Sequence, residues 1–276
     1  MRPAWSEQFE RDRLQQIAPL APPGGITKEW AWGGATGAGV KVAIIDSGID
    51  AGHPLVGGSV HGVALEYNLG WESDADPDVL FHEGPHEDLF GHGTACAAIV
   101  RRAAPEAELY SVRVLGERLT GKGIVFAAGL RWAIDNGMDV VNLSLSTGKR
   151  DFFEVFHELA DDAYFKNVML VSAVNNVPAP SFPSQYSSVF SVAAHEGNDP
   201  FRLDYNPTPP VEFGAPGIDV EVAWLNKSTI TATGNSFAAP HIAGLVARIS
   251  SKHPGLTPFQ VKTILHSVAD NAVVDR

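Results

Sequence analysis

Val40-Lys41-Val42-Ala43-Ile44-Ile45 runs directly into Asp46-Ser47-Gly48. Nearly every residue of the run is apolar and several are β-branched. That pattern predicts a strand buried on both faces, as strands of a parallel sheet are. Similar runs recur at residues 109–115, 139–145, 168–173 and 189–194. Helical patterns lie among them, at residues 92–102, at 124–136 (closed by Gly137) and at 151–167. A last helix is expected after Thr257-Pro258-Phe259-Gln260, a capping box with Pro at the first helical position. Residues 57–90 are polar and rich in turn formers, and read as irregular. Strands alternating with helices predict an α/β three-layer sandwich with a mostly parallel central sheet. One domain over residues 36–276 is expected. Residues 1–35 read as an arm, with a short helix near residues 10–17 broken by Pro19, Pro22, Pro23, Gly24 and Gly25.

In such sheets, reacting groups gather beyond the carboxyl ends of the strands. Asp46 follows the first strand, Ser144 the third and Asn175 the fourth. His92 and Ser236 stand at helix starts, which face the same rim. Ser236 belongs to Gly234-Asn235-Ser236-Phe237-Ala238-Ala239-Pro240-His241, the opening of a buried helix that stops at Lys252-His253-Pro254-Gly255. Pro240 is expected in its first turn, where a missing N–H costs little. A lone serine before a helix is usually only a cap. A serine nucleophile, however, needs a base in reach and a carboxylate to orient that base. Ser236, His92 and Asp46 supply one of each, and a helix N-terminus can receive a developing anion.

The chain has 276 residues, enough for a sizeable core. Its formal net charge of −12 argues against nucleic acid or an anionic membrane as partner. No stretch is apolar and long enough to span a bilayer. Residues 1–7 lack the apolar core of a secretory signal, which makes a cytoplasmic location the expectation. The single cysteine, Cys96, excludes an internal disulfide.

The flanks of the three residues are Ile45-Asp46-Ser47-Gly48-Ile49-Asp50, Gly91-His92-Gly93-Thr94-Ala95-Cys96 and Gly234-Asn235-Ser236-Phe237-Ala238-Ala239-Pro240. Here the chain resembles the subtilisin-like serine proteases, the subtilases, over about residues 36–270. The Asp, His, Ser order is that of subtilisin itself. The resemblance implies a serine endopeptidase acting on peptides or proteins. Asp46 would orient, His92 would act as general base and Ser236 as nucleophile. Asn175, in Ser172-Ala173-Val174-Asn175-Asn176, would supply an oxyanion donor, with Asn176 as the fallback. Val174 stands where the family usually has Gly. The substrate would add as a strand between Leu119-Thr120-Gly121 and Ser144-Leu145-Ser146. Ser146 stands where family members usually show Gly, at the mouth of the main specificity pocket.

This chemistry requires no cofactor. Many subtilases insert a calcium loop into the helix after the catalytic His, and residues 92–105 leave no room for it. The acidic run Glu72, Asp74, Asp76, Asp78 resembles a calcium loop only loosely, without a mid-loop Gly or closing Glu. His53, His61, His82 and His86, with Glu83, Glu87 and Asp88, fit no zinc spacing. His241 reads as a packing histidine and Cys96 as a small buried thiol. The arm could serve as a short inhibitory pro-segment, with residues 14–23 across the cleft. Two other functions fit the same fold: a processing enzyme that ligates or cyclises peptides, and a catalytically dead peptide-binding module.

Overall fold

A computed structural model describes residue 20, residues 25–70 and residues 78–272. In chain order the elements are α1 (Lys28–Trp32), β1 (Lys41–Asp46), β2 (Val60–Tyr67), β3 (Val79–Glu83), α2 (His92–Ala103), β4 (Glu108–Arg113), α3 (Gly123–Asp135), β5 (Val140–Leu143), α4 (Phe153–Phe165), β6 (Met169–Ala173), β7 (Phe190–Glu196), β8 (Asp204–Tyr205), β9 (Phe213–Ile218), β10 (Val220–Trp224), β11 (Ser228–Ala232), α5 (Asn235–Lys252) and α6 (Pro258–Ser267). Nine strands form one sheet in the order β3-β2-β4-β1-β5-β6-β7-β9-β8. Only β3 and β8, at its two edges, run antiparallel to their neighbours. β10 and β11 make a separate hairpin.

β1 shows why the run 40–45 has no polar face. Val42 and Ile44 point into the layer containing α2, α5 and α6. Ala43 and Ile45 point into the opposite layer, with α3 and α4. Side chains alternate across a strand, so the part of β1 sandwiched between two helical layers, Val42 to Ile45, is apolar on both faces. β1 lies between β4 and β5, parallel to both, which puts Asp46 at the centre of the carboxyl rim.

Two parts of the molecule depart from the sequence expectations. Residues 57–90 are not irregular throughout, because they contain β2 and β3. Of β2 only Val63, Ala64 and Leu65 are buried, and β3 buries Val79 alone, so these outer strands lack the continuous apolar signature of the inner ones. The last part of the supposed arm belongs to the body. Ala31 and Trp32 of α1 are buried in the core, and Lys252 at the end of α5 donates to the carbonyls of Glu29 and Gly33. The expected helix at residues 10–17, the segment 14–23 apart from residue 20, and Glu72, Asp74 and Asp76 lie outside the described residues. No helix among the described residues is long and apolar enough to cross a membrane.

Candidate active site

Asp46, the last residue of β1, is wholly buried, and the Ser47 N–H donates to its Oδ1 at 2.8 Å. His92 opens α2 and turns its Nδ1 toward both carboxylate oxygens, at 2.9 and 2.8 Å. A carboxylate only accepts, so Nδ1 carries the proton and Nε2 presents its lone pair. That lone pair meets Ser236 Oγ at 3.0 Å. The three side chains come from β1, α2 and the first turn of α5, and they form one continuous hydrogen-bonded chain. Burial alone would lower the His92 pKa, but the Asp46 carboxylate more than offsets it. The imidazole is held well above its ordinary value.

The close approach of β1 to α2 rests on glycines. A Cβ on Gly93 would stand 2.0 Å from the Gly48 carbonyl oxygen. Gly48 itself has φ +114°, and a Cβ there would lie 2.4 Å from the Glu87 carbonyl oxygen. Asp88 then ties the two elements together. Its Oδ1 accepts from Ser47 Oγ at 2.7 Å, Phe90 N–H at 3.0 Å and Gly91 N–H at 2.8 Å. Its Oδ2 accepts from the Thr94 N–H at 2.9 Å and from Thr94 Oγ1 at 2.6 Å. Gly91, the N-cap of α2, has no side chain to cap with, and Asp88 does the capping from three residues upstream. Sequence reading weighed Asp88 only as a metal donor. An acidic residue just before a helix start was the signal for this role.

The nucleophile has its own support. Pro240 is not in the first turn of α5, as the sequence suggested, but one turn further in. Having no N–H, it leaves the carbonyl four residues earlier, that of Ser236, without its helical partner. Ser144 Oγ donates to that carbonyl at 2.7 Å and accepts from Asn142 Nδ2 at 3.0 Å. Asn235 was also missed. Its Oδ1 accepts from the Ala194 N–H at 2.8 Å, and its Nδ2 donates to the carbonyls of Val174 at 3.2 Å and Asn175 at 3.0 Å. One side chain thus clamps the loop carrying Asn175 against the nucleophile's helix. Asn175 Oδ1 accepts from the Val177 N–H at 3.1 Å, so its amide nitrogen is the end left to donate. Asn176, the fallback, spends its Oδ1 on the Asn235 N–H at 2.9 Å.

The six expected cleft residues line one cavity. Leu119, Thr120 and Gly121 form one wall, and Ser144, Leu145 and Ser146 the other, of a cavity of about 360 Å³ floored by Leu115 and Phe126. Thr147 and Phe182 exchange main-chain bonds at 3.0 and 2.9 Å, anchoring the second wall.

Other candidates do not converge. His53 is bonded to the Ser228 carbonyl and the Leu55 N–H, His86 to Ser111, and His61 stacks on Tyr110. Among the described residues, the group of metal-type donors that does converge is Asp46, His92 and Cys96. Cys96 Sγ lies 3.9 Å from both Asp46 Oδ2 and His92 Nδ1, and burial pushes its pKa up, keeping it a thiol. His241 is buried in α5 with Nδ1 unpaired among the described residues. α2 runs without interruption from His92 to Ala103.

Comparison with known proteins agrees with this geometry. The subtilase family profile (peptidase S8) matches residues 37–276. Subtilisin DY of Bacillus licheniformis is 31% identical over 256 residues, covering 86% of each chain. Subtilisin Savinase of Lederbergia lenta is 31% identical over 247 residues, covering 86% of this chain and 85% of its own. Among solved structures, the S41 psychrophilic protease superposes with a TM-score of 0.66 at 26% identity, over 84% of this chain and 83% of the other. A cold adapted subtilisin-like serine proteinase superposes with a TM-score of 0.67 at 23% identity, over 86% of each, and bears on the fold alone. The sandwich, the hydrogen-bonded trio at its rim and these likenesses agree: the chain belongs to the subtilase family, and it is a serine endopeptidase.

Proposed function

We propose that this serine endopeptidase cuts peptide bonds through an acyl-enzyme built on Ser236. Nε2 of His92 takes the Ser236 proton as Oγ attacks the scissile carbonyl, and then delivers it to the leaving amine. Asp46 holds the imidazole in the tautomer this requires and stabilises the imidazolium that forms. The Asn175 amide and the Ser236 N–H, at the start of α5, receive the negative charge of the tetrahedral intermediate. Water then attacks the acyl-enzyme, with His92 again as base. The observation that carries this reading is the unbroken chain Asp46–His92–Ser236, with bonds of 2.8 and 3.0 Å. No step calls on a cofactor, and the substrate is a peptide or protein laid along the cleft between residues 119–121 and 144–146.

The test is covalent labelling by a fluorophosphonate, read by mass spectrometry. One adduct on Ser236, absent from Ser236→Ala, supports the proposal. Labelling that persists in Ser236→Ala, or no labelling of a protein that cleaves peptides, would defeat it. Products of an amine-bearing peptide separate hydrolysis, which adds water, from ligation, which does not.

A further inference from the structure

The cleft cavity between residues 119–121 and 144–146 starts beside the nucleophile, where Ser144 bonds to the Ser236 carbonyl. It runs away from the nucleophile along the chain toward residue 149. Its floor is apolar, but its rim is not. Lys122 lines it from one wall and Lys149 from the other. Arg118 sits beside Leu119, in a turn closed by bonds from Gly116 N–H to the Thr120 carbonyl and from Leu119 N–H to the Gly116 carbonyl. Arg150 follows Lys149. All four cations are exposed.

These cations are clustered, and most other described cations are partnered. Lys28, Arg113, Arg131, Lys166, Arg202 and Lys262 each pair with a carboxylate. Arg101, Arg248 and Lys252 are spent on main-chain carbonyls. Arg118, Lys149 and Arg150 have no ion pair among the described residues, as Lys41, Arg102 and Lys227 have none, and Lys122 lies over the Tyr67 ring, 3.3 Å from its centroid. The chain has 32 acidic residues against 20 basic ones, so anions are not scarce. Glu117 and Asp151 are the acidic neighbours in sequence, and neither forms an ion pair with these cations.

Unneutralised cations around an apolar, low-dielectric floor concentrate a positive field there. The same field disfavours a cationic guest and favours a carboxylate. On a molecule of net charge −12, the cleft arm therefore repels an acidic peptide less than the molecule as a whole does. We propose that this arm selects substrates with an acidic residue next to an apolar one on the acyl side of the cut bond. The apolar side chain fills the cavity, and Lys122 and Lys149, the two cations that line it, face the carboxylate. This rests on the endopeptidase reading above and names its substrate class.

The test uses the full chain and three synthetic peptides alike except at one residue three to five positions before the cut, which is Asp, Ser or Lys. At low salt, kcat/KM for the Asp peptide should exceed that for the Lys peptide by roughly tenfold, mostly through KM, and the ratio should shrink toward one in molar salt. Lys149→Glu and Lys122→Glu should each cut the Asp-to-Lys ratio severalfold, and together they should invert it. Arg102→Glu, an exposed cation on a different cavity, carries the same change in net charge and should leave the ratio as it was. Equal rates for the Asp and Lys peptides would overturn the proposal. So would a ratio that Arg102→Glu moves as much as Lys149→Glu does. If none of the peptides is cut and Ser236 takes no fluorophosphonate, the endopeptidase reading falls and this inference falls with it. Labelling of Ser236 with an inverted preference overturns only the inference.

Discussion

Ser144 Oγ donates to the Ser236 carbonyl at 2.7 Å, making the hydrogen bond that Pro240 cannot. A proline one turn into α5 frees the carbonyl of the nucleophile, and the residue after β5 ties that carbonyl to the sheet. The nucleophile is thus held from the strand side and not by its helix alone. Ser144→Ala leaves that carbonyl only the longer contact from Cys96 Sγ, at 3.7 Å. The expected cost is roughly 1–3 kcal/mol, seen as a fall of several degrees in Tm, with kcat reduced. Pro240→Ala restores an N–H and should recover part of that loss in the Ser144→Ala background. A second substitution that only adds further damage would show that the two groups do not share the carbonyl.

Removing Ser236 or His92 alone should cost nearly as much as removing Asp46, His92 and Ser236 together. The loss should approach roughly 10⁶-fold in kcat, the size known from subtilisin itself. Residual activity of each single alanine variant, compared with the triple variant, checks this. Losses that multiply would mean that the three do not act as one unit.

Asp88→Ala removes the acceptor of five hydrogen bonds that join the end of β1 to the start of α2. Leaving those donors unmet should destabilise the protein by about 2–4 kcal/mol. Because Asp46 and His92 sit on the two joined elements, kcat should also fall by about 10²-fold, as misplacement by about 1 Å can cause. Denaturant unfolding and kcat, measured on the same preparation, test the two effects separately.

The raised His92 pKa fixes the acid limb of the pH–rate profile. Protonated imidazole cannot accept the Ser236 proton, so kcat/KM should rise with pH. Its midpoint should lie above 6.5, the ordinary value for histidine. Asp46→Asn should lower both that midpoint and the plateau, since the carboxylate causes the upward shift.

His241 gives a pH effect on stability of the opposite origin. Burial first, and then Arg102, lower its pKa to about 4. In the unfolded chain it titrates near 6.5, so between those values the unfolded state binds the extra proton. Stability should therefore be complete above pH 6.5 and decline as pH falls toward 4, by up to about 3 kcal/mol. Urea midpoints across that window should fall less steeply for His241→Gln than for the wild type.

The inner strands and the rim were legible because their physics is local. β1 is apolar from Val42 to Ile45, being covered on both faces, and Asp46, His92, Ser236 and Asn175 stand where strands end and helices begin. The outer strands β2 and β3 were not legible, since each buries few residues and the segment around them is rich in turn formers. The roles of Asp88 and Asn235 were hidden for another reason. Asn235 acts through Ala194, Val174 and Asn175, which no spacing along the sequence brings together, and Asp88, though it caps the helix just after it, also reaches Ser47, 41 residues back. Pro240 was misjudged by one turn, which concealed the carbonyl it releases.

His92 and Ser236 are 144 positions apart, and Asp46 lies a further 46 positions before His92. A chain emerging from the ribosome therefore carries a harmless serine and a harmless histidine until α5 docks against the finished sheet. A partly folded chain in which α5 has not docked has no working nucleophile and does not digest its neighbours.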